Sequence, residues 1–339
     1  MIVNRLSDLV GKTPVLRIHP LGNGTELFLK LEKYSPGQSI KDRVAKQMLN
    51  AAKESGQLQP GGIVIESSSG NTGISLAMYA AERGYRFICV IDNHVPQEKV
   101  DTLRALGAQI EHVGAHLPPD YHAATERLVK VEELKALYPN AFFTSQGDNP
   151  ENPKAHHDGT AMELLDELGS FDEFVTSVGT GGTVSGVGRR LKEFLTDVTI
   201  TGVEPDGSII FGNPYHPFYQ SGSGTARIIF ANTDFSVIDN GIQVTDAQAF
   251  AACRFMARRY GLLIGGSSGS VIWAVAQRVQ ADPTPRRIVG VIGDGGERYI
   301  NTIFNDEWMG ERDLINPALD AFLGSVFPKS LNGCHSRGC

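Results

Sequence analysis

The chain has 339 residues, 41 % hydrophobic and 20 % charged, with 31 Lys and Arg against 38 Asp and Glu for a formal charge of −7. At roughly 100–200 residues per domain this length implies two domains, no run reaches the roughly 20 apolar residues of a membrane helix, and the acidic balance argues against a broad cationic footprint for nucleic acid. Glycine is in excess, 38 residues against a usual share of about 7 %, and the excess sits in short clusters between elements.

The first residues, Met1 to Pro14, carry Arg5 and Lys12 but no apolar stretch of signal-peptide length, so the expected location is the cytoplasm. In the segment Leu31 to Arg43, Lys41 stands at the opening of a helix whose next apolar positions are Val44 and Met48. From Gly61 strands and helices alternate. Ile63-Val64-Ile65 reads as a strand, and after a Gly/Ser turn a helix runs from about Thr72 to Arg83, with Ile74, Leu76, Ala77 and Ala80 near one face. Gly84 stops it. A strand over Phe87 to Asp92, a helix from about Gln97 to Leu106, a strand over Gln109 to Val113 and a helix from about His122 to Leu137 follow. The second half repeats the pattern, with a helix from about Pro153 to Leu168 and a strand over Glu173 to Val178. A Gly-rich turn then opens a helix after Thr183, and Val198 to Val203 is a strand. Asn213 to Asn232 reads as a long loop. A helix from about Asp246 to Tyr260, a Gly-rich turn opening a helix after Ser268, and the strand Arg287 to Ile292 complete the series. That last strand runs into Gly293-Asp294-Gly295-Gly296-Glu297.

Such alternation implies an α/β fold of two doubly wound domains, parallel sheets with helices on both faces. Ligands bind beyond the carboxyl ends of such strands, where the Gly-rich turns fall. The polar segment Gly147 to Pro153 marks the expected boundary. It separates an N-terminal domain, 1–150, whose smaller part from about 46 to 150 could close on substrate, from a C-terminal domain, 151–315, and a flexible tail, 316–339. Cys89 and Cys253 read as core fillers. Cys334 and Cys339, with His335 between them, form an incomplete metal set, and no metal is expected. His156 and His157, adjacent on a helix, point to opposite sides and read as surface residues.

Four segments could carry chemistry. Gly179-Thr180-Gly181-Gly182-Thr183 follows a strand and opens a helix, so its N–H groups can converge on a phosphate; it is also compatible with a tight turn. It is not a Walker loop, since no Gly-Lys-Ser/Thr follows. Ser67 to Gly73 offers hydroxyls, an amide and free N–H groups without charge, which suits a carboxylate or a helix cap. Lys41 near a helix N-terminus is electrostatically misplaced, which with burial would lower its pKa as an imine-forming lysine requires, or else it is a solvated partner of Asp42. In Gly265 to Ser270 a neutral hydroxyl could meet a ring nitrogen or cap a helix.

Taken in order, this set resembles the cysteine synthase family, the O-acetylserine sulfhydrylases, cystathionine β-synthase and their relatives among the pyridoxal-phosphate (PLP) enzymes, over roughly Leu6 to Met309. Leu9-Val10-Gly11-Lys12-Thr13-Pro14-Val15 also matches. The resemblance implies the tryptophan synthase β-like PLP-dependent fold, small amino acid substrates and a homodimer. It further implies that Lys41 holds PLP as a Schiff base and shuttles the α-proton, and that Asn71 bonds the cofactor's 3-hydroxyl. Gly179, Thr180, Gly181, Gly182 and Thr183 would hold the phosphate, and Ser267 would meet the pyridine nitrogen. Ser68, Ser69, Thr72 and Gln146 would grip the substrate carboxylate, and Asp294 to Tyr299 matches the family's late Gly-Glu-Arg-Tyr segment near the ring. The implied reaction is β-replacement on O-acetyl- or O-phospho-L-serine through an aminoacrylate, with sulfide giving L-cysteine by default. An uncharged serine opposite the ring nitrogen leaves a weaker electron sink, which favours β-elimination.

Thr72 stands where threonine dehydratases and serine racemases usually have histidine, which disfavours deamination. A full-length cystathionine β-synthase, with its haem segment and regulatory pair of domains, is not expected. Three departures stand out: Gly147 where an aromatic often follows the site glutamine, Gly224 to Ile229 in place of Gly-Phe before Ile-Pro, and Arg127 on the helix after His122. With Asp206 to Gly212 they resemble the siderophore branch, which joins O-phosphoserine to glutamate to make N-(2-amino-2-carboxyethyl)-L-glutamate. In that alternative Arg227 pairs a phosphate leaving group and Arg127 a second carboxylate; otherwise Arg227 packs its loop and Arg127 makes a salt bridge. A catalytically silent PLP-binding scaffold is the alternative of another class, and the intact set Lys41, Asn71 and Ser267 argues against it.

Overall fold

The computed structural model describes residues 2–68, 70–93, 95, 97–114 and 123–327. In chain order the elements are β1 (Val15–Ile18), β2 (Glu26–Leu31), α1 (Lys41–Glu54), β3 (Ile63–Glu66), α2 (Asn71–Arg83), β4 (Arg86–Ile91), α3 (Gln97–Ala105), β5 (Gln109–His112), α4 (Ala124–Leu137) and β6 (Phe142–Phe143). They continue as α5 (Glu151–Ala155), α6 (Ala161–Leu168), β7 (Glu173–Ser177), α7 (Gly182–Phe194), β8 (Thr199–Pro205), β9 (Asn240–Val244), α8 (Asp246–Tyr260), α9 (Gly266–Ala281), β10 (Arg287–Ile292), α10 (Asp306–Gly310) and α11 (Pro317–Val326). The strands form a six-stranded sheet, β1-β2-β10-β7-β8-β9, and a four-stranded sheet, β5-β4-β3-β6. Every pairing is parallel except β1 with β2.

Each sheet is covered on both faces. Leu27, Leu29, Ile288 and Ile292 of the large sheet pack with α8, α9 and α11, while Phe28, Phe174, Val289 and Val291 pack with α6 and α7. In the small sheet Val64, Phe87 and Cys89 pack against α1, α2 and α3, and Ile65, Ile88 and Val90 against α4. Strands such as β4 and β10, without a polar side chain after their first arginine, follow from this double coverage.

Three sequence expectations are corrected here. The strands do not divide at residue 150, because β1 and β2 belong to the large sheet with β7 to β10. The chain crosses to the small layer between β2 and α1 and returns after β6. Residues 316–327 are not a flexible tail: α11 is capped by Asn316, and Leu323, Val326 and Phe327 are buried in the core. Cys334 and Cys339 lie outside the described residues. The expected helix from Pro153 to Leu168 is α5 and α6 joined by one π-helical turn, His156–Thr160. That turn buries His156 completely and leaves its neighbour His157 partly exposed, so His156 is not a surface residue.

In the large sheet β8 and β9 lie to one side of β7 and β10 to the other; in the small sheet β4 and β5 lie to one side of β3 and β6 to the other. A ligand crevice forms at such reversals of strand order. The segments after β7, β10, β3 and β6 therefore converge on one cleft between the two layers.

Candidate functional site

That cleft holds about 250 Å³ and is lined by Lys41, Asn71, Gln146, Thr180, Ser267 and Asp294, among others. Lys41 is the first residue of α1. The start of this helix is fixed by Ile40 N–H donating to Gly293 O at 2.8 Å and by Lys41 N–H donating to Ser39 Oγ at 3.3 Å. Burial lowers the Lys41 pKa, and the Asp294 carboxylate opposes that shift without cancelling it. The ε-amine is therefore more readily neutral than an ordinary lysine's.

The segment after β7 is backbone-built. The first bond closing α7 runs from Ser185 N–H to Gly181 O at 3.0 Å, which leaves the N–H groups of Gly182, Thr183 and Val184 without intrahelical partners. Gly181 takes φ of +79°, and a Cβ there would lie 2.6 Å from the Thr233 Cα, so only glycine fits. These donors at the positive end of a thirteen-residue helix suit an anion.

Opposite, the residues are side chains bonded to one another. Asn71 Nδ2 donates to Asp294 Oδ2 at 2.9 Å, and Asn71 Oδ1 accepts from Arg298, which also donates to Gly37 O at 2.6 Å. Thr72 Oγ1 donates to Gln146 Oε1 at 2.6 Å, so the Gln146 amide turns its NH2 to the remaining direction. The Gln146 backbone is held by Glu66 Oε2 accepting its N–H at 3.1 Å and by Asn152 and Asn232 donating to its carbonyl at 2.7 and 3.0 Å. Asn152 also donates to Thr180 Oγ1 at 3.1 Å, tying this side to the other. Burial raises the Glu66 and Asp294 pKa values against the pull of their hydrogen bonds.

Lys41, Asn71, the residues 179–183, Ser267, Ser68, Thr72 and Gln146 are thus brought together around one cleft. Ser69 lies outside the described residues. Arg127 and Arg227 are not part of it, which corrects their expected place. Arg127 Nε approaches Asp92 Oδ2 at 3.5 Å, just past the end of β4, and Arg227 is exposed on the loop 213–232. The space expected beside Gly147 is filled: a Cβ there would lie 2.1 Å from the ring of Phe230, which lines the cleft. Asn232 N–H donates to Gly147 O at 3.2 Å, strapping the loop over this segment.

Lys99 and Phe230 also line the cleft and escaped the sequence reading, whereas Tyr299 belongs to the late segment expected near the ring. Tyr299 donates to Asp294 Oδ2 at 2.7 Å, and Lys99 sits 5.9 Å from the Tyr299 ring centroid with its pKa lowered by burial. Asp294 was legible as a site residue, a carboxylate set directly beyond the carboxyl end of an apolar strand. Nothing in the local sequence points to Phe230. Among the described residues, no group of three or more His, Cys, Asp or Glu is placed to hold a metal ion, and no helix is long and apolar enough to cross a membrane.

Comparison with known proteins agrees with this geometry. The family profile described as "Pyridoxal-phosphate dependent enzyme" matches residues 6–294. A "Putative cysteine synthase" of Sinorhizobium fredii (strain NBRC 101917 / NGR234) is 45 % identical over 334 residues, 97 % of this chain and 99 % of the relative. A "Probable cysteine synthase" of Bacillus subtilis (strain 168) is 38 % identical over 310 residues, 89 % of this chain and 97 % of that one. The crystal structure of O-ureido-L-serine synthase superposes with a TM-score of 0.84 at 30 % identity, covering 91 % of this chain and all of that one.

Proposed function

We infer that this chain, which belongs to the pyridoxal-phosphate dependent enzymes, uses the cleft between its two layers as a cysteine synthase active site. It is a β-replacement enzyme acting on an O-activated L-serine, as its resemblance to cysteine synthases over nearly the whole chain supports. Sulfide is the nucleophile and L-cysteine the product in this reading. The single observation that carries it is the convergence of a depressed lysine, an anion-binding helix start and a neutral serine on one cleft.

The residues fit the cofactor. The open N–H groups at the start of α7 suit a phosphate monoester, and the Lys41 amine suits an aldehyde carbon. Pyridoxal phosphate supplies, when bound, the electron sink that acidifies the substrate's α-carbon. Lys41 Nζ would hold the cofactor through its carbonyl carbon and would take the substrate's α-proton, a task that its lowered pKa favours. Residues 179–183 hold the phosphate. Ser267, near the start of α9, meets the ring nitrogen with a neutral hydroxyl. Asn71, clamped at both ends of its amide, keeps one N–H for the ring hydroxyl. The start of α2 with Ser68, Thr72 and the free NH2 of Gln146 receives the substrate carboxylate.

The glutamate and O-phosphoserine alternative loses the residues that favoured it: Arg127 is engaged with Asp92, Arg227 lies outside the cleft, and Phe230 occupies the room beside Gly147. A homodimer in the cytoplasm completes the reading, and sedimentation at monomer mass would overturn the dimer. The purified protein reconstituted with pyridoxal phosphate should show the visible band of a lysine-bound cofactor and convert O-acetylserine and sulfide to cysteine. Lys41→Ala should lose both the band and turnover. A colourless reconstituted protein would sink the assignment, and turnover with glutamate but not sulfide would move it to the alternative.

A further inference from the structure

His156 is fully buried in the π-helical turn and takes no part in the cleft. It nevertheless sits directly behind the helix start assigned to the phosphate. Its Nε2 lies 3.3 Å from Thr183 Oγ1 and its Nδ1 lies 3.0 Å from Thr160 Oγ1. The approach is possible because α7 presents Gly186 to this segment: a Cβ there would meet Pro153 O at 2.0 Å and the His156 Cβ at 3.0 Å. Thr160 and Thr183 are themselves buried.

A neutral imidazole has one N–H and one bare nitrogen, and which is which is fixed by the neighbours. His156 is neutral: burial, then the charges of Lys41 and Arg43, push its pKa well below the usual value. Among the described residues the Thr160 hydroxyl has a single hydrogen-bond partner, His156 Nδ1, which is its available acceptor. The Thr160 hydroxyl therefore turns its proton to Nδ1. That leaves the proton on Nε2, aimed at Thr183 Oγ1. A Thr183 oxygen that already accepts must donate elsewhere, and the remaining direction is the cleft. With the opposite tautomer Thr183 would spend its proton on His156 and show only lone pairs to an anion.

We propose that His156 is a positioning residue: held by Thr160 as the Nε2–H tautomer, it sets the Thr183 hydroxyl as a donor to the phosphate group bound at the start of α7. This rests on the reading of residues 179–183 as the phosphate site. It would make Thr160, His156 and Thr183 a relay from the π turn to the cofactor's anchor.

The test has two arms. In the holoenzyme with 15N-labelled histidine, assigned by loss of the signal in His156→Gln, a two-bond proton–nitrogen correlation should show His156 with Nε2 protonated and Nδ1 bare. The Nδ1–H tautomer or an imidazolium would overturn the proposal. In the second arm apo-protein is titrated with pyridoxal phosphate and with pyridoxal. His156→Leu should weaken pyridoxal phosphate by about tenfold, the scale of a lost hydrogen bond to a charged group, and leave pyridoxal unchanged. His156→Gln, which keeps a side-chain N–H, should stay near wild type. Equal weakening of both ligands, or none, would overturn the proposal while wild type still preferred the phosphate. A wild type that bound both equally would instead overturn the phosphate site itself.

Discussion

On the large-sheet side, the cleft is walled mainly by backbone. The N–H groups of 182–184 and the start of α9 face it, and their geometry depends on glycines and on helix starts placed by β7 and β10. On the small-sheet side, it is walled by side chains that bond to one another, Thr72 to Gln146, or across to the segment after β10, Asn71 to Asp294 and Arg298. The backbone wall is fixed once the sheet forms and has one shape, suited to a group that stays. The side-chain wall offers hydroxyl and amide ends that substrate can exchange for internal bonds, suited to a group that comes and goes. Breaking each wall should therefore fail differently.

The largest effect is expected where the two walls are joined. Arg43, two residues after Lys41, donates to Glu32 at the end of β2 through Nε and Nη2 at 2.7 and 2.9 Å, and to both oxygens of Glu163 on α6 at 2.7 Å. Burial works against the Glu163 carboxylate, yet Arg43 holds its pKa down to about 2. Lys30, fully buried in β2, reaches Glu163 at 3.0 Å. Arg43→Met strands a fully buried Glu32, and urea unfolding should show a loss of about 3–5 kcal/mol. A loss below about 1 kcal/mol would mean that α1 is held to the large sheet by packing alone.

Gly147→Ala tests the side-chain wall. The new Cβ collides with the Phe230 ring, so the loop must move off its strap to residues 146–148. A stability loss of about 1–3 kcal/mol is expected, with a raised KM for the activated serine. Phe230→Ala in the same chain should recover much of both. Additive losses in the double-mutant cycle would show that the two residues do not touch in solution.

A third prediction reads the region behind the backbone wall. The unfolded chain protonates His156 near pH 6.5, whereas the folded chain, with its pKa well below that, does not. The unfolded state then binds more protons, so stability falls as pH drops below about 6.5, at up to about 1.4 kcal/mol per pH unit for one proton. His156→Gln should flatten this acid limb in thermal melts. An unchanged limb would assign acid sensitivity to other groups.

Legibility followed the same division. Among the strands covered on both faces, β3, β4 and β10 announce themselves as apolar runs and β7 and β8 as short stretches rich in Val, Ile and Thr, and the glycine clusters after β7 and β10 locate the backbone wall. β2 does not, because Lys30 separates Leu27-Phe28-Leu29 from Leu31; its burial becomes intelligible only with Glu163 and Glu167, more than a hundred residues away. β9, half-exposed at the sheet edge, carries no apolar run and is assigned no element in the sequence reading. The π turn has no periodic signature, and it alone decides that His156 faces inward while His157 does not. The contact of Phe230 with Gly147 joins two loops across 83 positions and leaves no mark in either segment. Local pattern thus pointed to the half of the site made of helix starts, the family resemblance named Asn71, Thr72 and Gln146 in the other half, and long-range pairing hid the contacts that hold that half in place.

Arg227 is where this difference yields its smallest expected effect. From sequence it replaces a usual aromatic in the loop beside the cleft, which invites a role with a charged leaving group. In the fold this loop reaches the cleft through residues 221–224 and through Phe230, three positions on, while Arg227 is exposed at the surface. An exposed arginine outside the cleft gives up little on truncation, so Arg227→Ala should change stability by under about 0.5 kcal/mol. The kcat/KM for O-acetylserine with sulfide should stay within about twofold, a difference worth roughly 0.4 kcal/mol. The sharper arm compares donors. If the loop keeps the described position in the working enzyme, O-acetylserine and O-phosphoserine should respond alike to the substitution. A selective loss of O-phosphoserine turnover would show that Arg227 swings inward to meet a phosphate, and that this rim is remodelled when substrate arrives.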